Sequence, residues 1–203
     1  MKARTLGLTL LLLLVSVGRV DALAETPTQA IKRAHARINK LLAQKTKPGS
    51  PADTRVKQQV TREVNTFLDF TELARRALGR HWEARTEDER KEFVDILKAL
   101  IERSYVKQLR TNLGYKIEYR KESTKGDSAE VVTAVKVKKN RRTTEIVIEY
   151  KMQRAGAKWM VYDVVTDDVS IVRNYRSQFN RIIRKESYEA LVKKMREKLQ
   201  EKS

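Results

Sequence analysis

Histidine is the usual side chain for proton transfer near neutral pH, and the chain has two, His35 and His81. His35 stands among Lys32, Arg33 and Arg37, and His81 stands beside Trp82, just after Gly79. Neither has a serine or carboxylate at a catalytic spacing, so both read as surface or loop residues. The paired carboxylates Asp167-Asp168 could hold a cation or move a proton. They precede an expected helix, where acidic side chains cap free N–H groups and favour the positive end of the dipole, and that reading is preferred. Asp163 lies inside an apolar strand pattern, between Tyr162 and Val164. A carboxylate there needs partners, and Arg173 or Arg176 is placed to supply a charge-assisted one. Asp163, Asn174 and Arg176 thus read as a structural polar clamp between strand and helix.

The chain has no cysteine, which excludes disulfides, thiol catalysis, cysteine metal sites and a lipid-modified cysteine. It shows no glycine-rich phosphate loop and no metal-ligand spacing, so no cofactor and no metal is expected. Catalytic residues are expected to be none.

The elements that position these residues follow from periodicity. Thr28 to Lys45 repeats apolar residues as a helix, with Ile31, Ala34, Ile38, Leu41 and Leu42 on one face. Lys47 to Pro51 breaks it. A second helix starts at Ala52 or Asp53, with Val56, Val60, Val64 and Phe67 or Leu68 as its stripe. Asp69 with Glu72, and Thr86 with Glu89, have capping-box spacing and open a third and a fourth helix. Gly79 ends the third, and Gly114 ends the fourth near Asn112.

From Tyr115 the period becomes two. Strands over Tyr115 to Arg120, Glu130 to Lys138, Glu145 to Met152 and Trp159 to Val165 are separated by short turns at Lys125-Gly126-Asp127, Asn140-Arg141-Arg142 and Ala155-Gly156. Short connections favour an antiparallel meander. Helices over Val169 to Arg184 and Ser187 to Lys202 complete the chain. The expected class is α+β: a curved antiparallel four-stranded β-meander flanked by N-terminal and C-terminal helices, with an apolar pocket between them.

Lys2 and Arg4, the apolar run Leu6 to Val17 and the motif Ala22-Leu23-Ala24 have the order of a secretory signal peptide. The run is shorter than the ~20 residues of a membrane span. Residues 1–24 are therefore expected to be a cleaved leader, and residues 25–203 one domain. The formal net charge of +18 favours anionic partners such as phospholipid headgroups or acidic proteins. Export and the dispersed basic residues argue against nucleic acid. Lys138-Lys139 and Arg141-Arg142 make a basic hairpin tip, read as solvated charge or as a membrane or partner contact.

Three stretches carry a resemblance. Val161-Tyr162-Asp163-Val164, Ser170 and Asn174-Tyr175-Arg176-Ser177-Gln178-Phe179 form one. Phe70, Ala77-Leu78-Gly79-Arg80 and Trp82 form the second, and Thr86, Glu89-Arg90 and Phe93 the third. In this order, from about Thr28 to Leu199, the chain resembles the MlaC (toluene-tolerance, Ttg2) family of periplasmic phospholipid-binding proteins. The resemblance implies an α+β fold with an acyl-chain pocket, no catalysis, and a monomeric shuttle. Its implied partners are phospholipid, an outer-membrane lipoprotein–porin complex, and an inner-membrane ABC transporter complex with its lipid-binding subunit. The implied role is maintenance of outer-membrane lipid asymmetry, and the implied location is the periplasm.

Elementary energetics fit such a role. Removing a two-chain lipid with about 30 methylenes from a bilayer costs roughly 24 kcal/mol at ~0.8 kcal/mol per methylene, so a soluble carrier must enclose most of both chains. Tyr105, Leu109, Ile117, Val131, Val135, Ile146, Ile148, Tyr150, Trp159, Val161, Ile171, Val172, Tyr175 and Phe179 are the candidate lining. The same residues also suit a solid core. Two other function classes are open: a small cone-shaped enzyme of the NTF2-like kind built on Asp163, Tyr162 and Arg176, and a basic interaction module with a filled core.

Overall fold

The computed structural model describes residues 25–109, 116–139 and 142–201. The expected leader, the helix end at Asn112, Gly114, the strand start at Tyr115 and the tip Asn140-Arg141 lie outside them.

Helix α1 spans Pro27–Leu42. Thr26 and Gln29 close a reciprocal capping box at its start, and Glu122 accepts from the Thr28 N–H at 2.8 Å. Helix α2, Pro51–Phe67, starts from Ser50, whose side chain accepts from the Asp53 N–H. Asp53 is fully buried. It accepts from the Gly49 N–H at 2.9 Å and meets Lys57 Nζ at 3.1 Å, which ties the α1–α2 loop to α2.

Helix α3 spans Phe70–Leu78 and is capped by Asp69. The expected capping box forms only by half. Asp69 accepts from the Glu72 N–H at 2.9 Å, but the Glu72 carboxylate turns away to bind Arg75 and Arg76, each at 2.6 Å. Two guanidiniums outcompete one backbone N–H for a carboxylate. A 3-10 turn follows at Gly79–His81. The box at Thr86 and Glu89 is complete, with contacts of 2.8 and 3.3 Å, and opens α4, Glu87–Leu109.

The sheet has five strands in order β1-β2-β3-β4-β5: β1 Ile117–Lys125, β2 Ser128–Lys139, β3 Arg142–Ala155, β4 Lys158–Thr166 and β5 Val169–Ser170. All neighbours are antiparallel. The meander is as expected, with one strand more. Asp167 and Asp168 are the reason, and their expected role as helix caps is corrected. Both take positive φ, 47° and 65°, and reverse the chain in a two-residue turn of the kind aspartate tolerates. The cap of α5, Ile171–Lys185, is Ser170, which accepts from the Arg173 N–H. Helix α6, Tyr188–Gln200, follows.

Two register shifts bend the sheet. One lies between Tyr119 and Lys121, the other between Lys151 and Met152, opposite Tyr162. The second matters for the site. Val164 pairs with Tyr150 and Val161 with Met152, so both valines face as the even residues of β3 do. The extra residue between them gives Asp163 and Val165 the opposite parity in the ladder, and Asp163 meets the start of α5.

The packed interior has three parts. Phe70, Leu73, Phe93, Leu97, Val172, Phe179 and Leu191 belong to the cluster that joins α3 to α6. Ile31, Val131, Tyr150, Met152, Trp159 and Val161 belong to the one that joins α1 to the sheet. Ile38, Val56 and Val60 hold α1 to α2.

Candidate functional site

A cavity of about 400 Å³ lies where these three clusters meet. The sheet supplies Ile117, Val135, Val137, Ile146, Ile148, Tyr150, Tyr162, Asp163, Val164 and Thr166. Apart from Tyr162 at the β4 bulge and Asp163 beside it, these are residues that the period-2 pattern turns to one face. Helix α1 adds His35, Ile38, Asn39 and Leu42, and α2 and its end add Thr61, Val64, Phe67 and Leu68. Phe70 and Leu73 of α3, Ile101 and Glu102 of α4, and Ile171 of α5 close the rest. The walls are mostly aliphatic and aromatic. An open groove of about 510 Å³ between α2, α3, α4 and the β3–β4 turn is more polar, with Asp69, Thr71, Asp95, Lys98 and Lys158 on its sides.

Of the candidate lining residues, Ile117, Val135, Ile146, Ile148, Tyr150 and Ile171 stand on the cavity wall. Val131, Trp159 and Val161 pack in the cluster between α1 and the sheet instead. Val172 and Phe179 are buried among the helices, with Tyr175 against them, because they lie on the face of α5 that meets α3 and α4. The side chains of Tyr105 and Leu109 lie outside the described residues. Periodicity identifies an inward face; it does not distinguish a face that meets another side chain from one that meets space.

Asp163 is buried and forms a clamp with partners other than those expected. Its carboxylate accepts from Ser170 Oγ at 2.6 Å and from the Val172 N–H at 3.0 Å. Among the described residues, neither Arg173 nor Arg176 bonds to it. Arg173 donates to the Asp168 carbonyl at 2.9 Å, and Arg176 Nε donates to the Arg76 carbonyl at 2.8 Å. Hydroxyl and amide donors on the tight turn come within reach of the carboxylate, while the long arginine side chains run outward. Asn174 is exposed and accepts from Gln178 at 3.0 Å. The three clamp residues therefore work separately: Asp163 fastens β4 to the start of α5, Arg176 fastens α5 to the end of α3, and Asn174 stays within α5. Tyr162, Asp163 and Arg176 do not converge as an acid–base site requires.

His35 is not a surface residue. It is half-buried on the cavity wall, with Nδ1 at 2.9 Å from the Tyr119 hydroxyl and Nε2 at 3.0 Å from that of Tyr150. Burial lowers its pKa to about 4 and raises those of both tyrosines above the usual phenol range. A neutral imidazole donates from one nitrogen and accepts at the other, so one tyrosine accepts and one donates. The triad joins α1 to β1 and β3 without placing a charge in the cavity. The signal for it was spacing: His35 is four residues from Ile31 and three from Ile38, on the apolar face of α1. His81 sits in the 3-10 turn and shares a 2.9 Å hydrogen bond with Asn180.

Two carboxylates stand on the wall: Asp163, held as described, and Glu102, which accepts from Asn65 at 2.9 Å and lies 4.0 Å from Lys98. No cluster of three histidines or carboxylates that could hold a metal ion occurs among the described residues. None of their helices is long and apolar enough to cross a membrane.

The fold has a relative of known structure. A phospholipid-binding protein from Ralstonia solanacearum, solved in complex with a phospholipid, superposes with a TM-score of 0.69 at 22% identity, over 87% of this chain and 96% of that one. The intermembrane phospholipid transport system binding protein MlaC of Haemophilus influenzae is 23% identical over 140 residues, covering 68% of this chain and 65% of that protein. The match thus spans slightly less than two thirds of that relative's length. The family model described as MlaC protein matches residues 32–197, and the chain belongs to the MlaC family.

Proposed function

We propose that this chain binds phospholipid in its cavity and carries it through the periplasm between the inner and outer membranes. The observation that supports this reading is the apolar cavity of about 400 Å³ between sheet and helices. At the roughly 30 Å³ that a water-sized group occupies in a liquid, it takes on the order of a dozen methylenes, close to one acyl chain. At ~0.8 kcal/mol per methylene, enclosing them recovers about 10 kcal/mol. A second chain requires the α1–α2 hairpin or the α4 side to move outward. The relatives that bind or transport phospholipid add their weight to the reading.

In this proposal residues 1–24 direct export and the domain over residues 25–203 works as a monomer. It takes lipid from, or delivers lipid to, an outer-membrane lipoprotein–porin complex and an inner-membrane ABC transporter complex, and so maintains outer-membrane lipid asymmetry. Native mass spectrometry of the protein purified from cells, with extraction of what it holds, tests the first step. A mass increase matching phospholipid, and uptake of phospholipid from vesicles, are expected. Protein that is lipid-free and takes nothing from vesicles would rule the reading out.

A further inference from the structure

The two ends of the α1–α2 hairpin are held differently. At its base, Ala30 and Ile31 of α1, with Phe67 and Leu68 at the end of α2, pack in the cluster of Val131, Met152, Trp159 and Val161. Hydrogen bonds reinforce that end. The Asp69 N–H donates to the Val161 carbonyl at 2.7 Å, and the Thr28 N–H donates to the Glu122 carboxylate at 2.8 Å. Further along α1, Ile38, Asn39 and Leu42 border the cavity. So do Ile117, Val135, Val137 and Ile146, which lie at the end of the sheet away from Trp159 and belong to none of the packed clusters. Hairpin and sheet therefore pack together at the base and part along α1 towards the exposed loop at residues 43–49.

The hairpin also carries its own core. Ile38, Val56 and Val60 form a separate cluster, Arg37 meets Glu63 at 3.6 Å, and buried Asp53 holds the loop through the Gly49 N–H. A unit with its own core, fastened at one end, can move as a body about that end. Part-way along, between the packed base and the cavity-lining half of α1, stands His35. Its ring nitrogens lie 2.9 and 3.0 Å from the Tyr119 and Tyr150 hydroxyls. Two neutral hydrogen bonds add little net stability, since water replaces them when they part. That suits a catch that has to release.

We infer that the α1–α2 hairpin is a lid over the cavity, hinged at Ala30 and Ile31 and at Phe67 and Leu68, and latched shut by His35 on Tyr119 and Tyr150. Opening lifts the loop end of the hairpin away from Ile117, Val135 and Ile146. The inference rests on the carrier reading for what passes under the lid, an acyl chain, and adds how that chain enters. The cavity as it stands holds close to one chain, so a lifted lid also makes the room that a second one needs.

The chain has no cysteine, so spin labels can be placed in chosen pairs on the full mature chain. Gln44→Cys with Thr144→Cys spans from the lid loop to the sheet, and Ser177→Cys with Lys193→Cys spans α5 and α6 as a reference; all four sites are exposed. Distances are read by double electron–electron resonance, without lipid and after incubation with phosphatidylglycerol vesicles. The latch variant is Tyr119→Phe with Tyr150→Phe, which keeps both rings and removes both hydroxyls. In it the share of a second, longer lid distance is expected to rise at least about fivefold over wild type, with the reference distance unchanged and uptake from vesicles faster. If the lid distance stays single in wild type and variant while lipid loads, the lid is wrong and the carrier reading stands. If lid and reference distances broaden together, the hydroxyls hold the whole fold and the latch is wrong. If the lid opens and uptake does not quicken, lipid enters elsewhere and the inference fails. If no lipid loads at all, the carrier reading falls by itself, and the lipid-free distances decide the lid: a longer population in the variant keeps it, and a single distance overturns it.

Discussion

Asp163 and Ser170 face each other across the β4–β5 turn, with the serine hydroxyl donating to the carboxylate at 2.6 Å. Ser170 Oγ also accepts from the Arg173 N–H at 3.0 Å, and Asp163 takes the Val172 N–H. One buried pair therefore caps α5 and fixes its exit angle from the sheet. Asp163→Ala leaves two buried donors without an acceptor and should cost about 3 kcal/mol, while Ser170→Ala should cost about 1–2 kcal/mol. Because the two share contacts, the double variant should lose less than the sum of the singles. Urea unfolding of the three variants measures this. Strict additivity would show that the pair does not act as a unit.

The second prediction concerns acid. The folded-state pKa of His35 is lowered from 6.5 to about 4 by burial. Between those values the unfolded chain binds the proton and the folded chain does not, so stability falls as pH falls. The full contribution is present above pH 6.5 and is lost by about pH 4. It amounts to about 3 kcal/mol. His35→Phe removes the titration, at the cost of the two tyrosine contacts. The stability difference between pH 7 and pH 4 should shrink by roughly that amount in the variant. Parallel pH profiles for variant and wild type would assign the acid sensitivity elsewhere.

What sequence patterns can and cannot show is visible in these two residues. The Thr86–Glu89 box, Asp69 as a cap and the switch from period 3.6 to period 2 are local, so they are legible. Asp163 is legible as a buried acid in need of partners, but its partners depend on Asp167-Asp168 folding as a hairpin turn, not as a cap. His35 looks solvated because its chain neighbours are basic, yet its ring reaches Tyr119 and Tyr150, far along the chain. The β4 bulge is invisible to strict alternation. It is what gives Val161 and Val164 the same ladder parity while Asp163, between them, takes the other and meets the start of α5. The boundary between packed core and cavity is a property of how three clusters meet, and no single stretch of chain contains it.

Gly79 supplies a backbone prediction. It ends α3 with φ 58° and ψ −129°, a region that side chains other than glycine's enter at a cost of order 1–3 kcal/mol. An added Cβ would meet Arg176 at ordinary contact distance, 3.7 Å, so the penalty is conformational, not steric. Gly79→Ala should lower stability by about 1–3 kcal/mol, with lipid uptake unchanged where the protein remains folded. An unchanged denaturation midpoint would mean that the α3 terminus relaxes freely, which its bonds to α5 oppose.

The last prediction separates a wall residue from a core residue among side chains that look alike in sequence. Ile148 is half-buried on the cavity wall. Phe179 is buried, with its ring against Phe93 at 5.5 Å and stacked on Tyr175 at 5.3 Å. Ile148→Trp adds volume into open space, so stability should change by no more than about 1 kcal/mol, below the usual cost of overpacking a filled core, while lipid loading falls at least about tenfold. Phe179→Ala removes packed atoms and should cost about 3–5 kcal/mol, with loading retained at temperatures where the protein stays folded. Thermal melts and vesicle uptake on the same samples read both quantities. If Ile148→Trp unfolds the protein as Phe179→Ala does, the space beside Ile148 closes in solution. If it leaves loading intact, the acyl chain lies elsewhere and the open groove near Asp95 and Lys98 becomes the next place to plug.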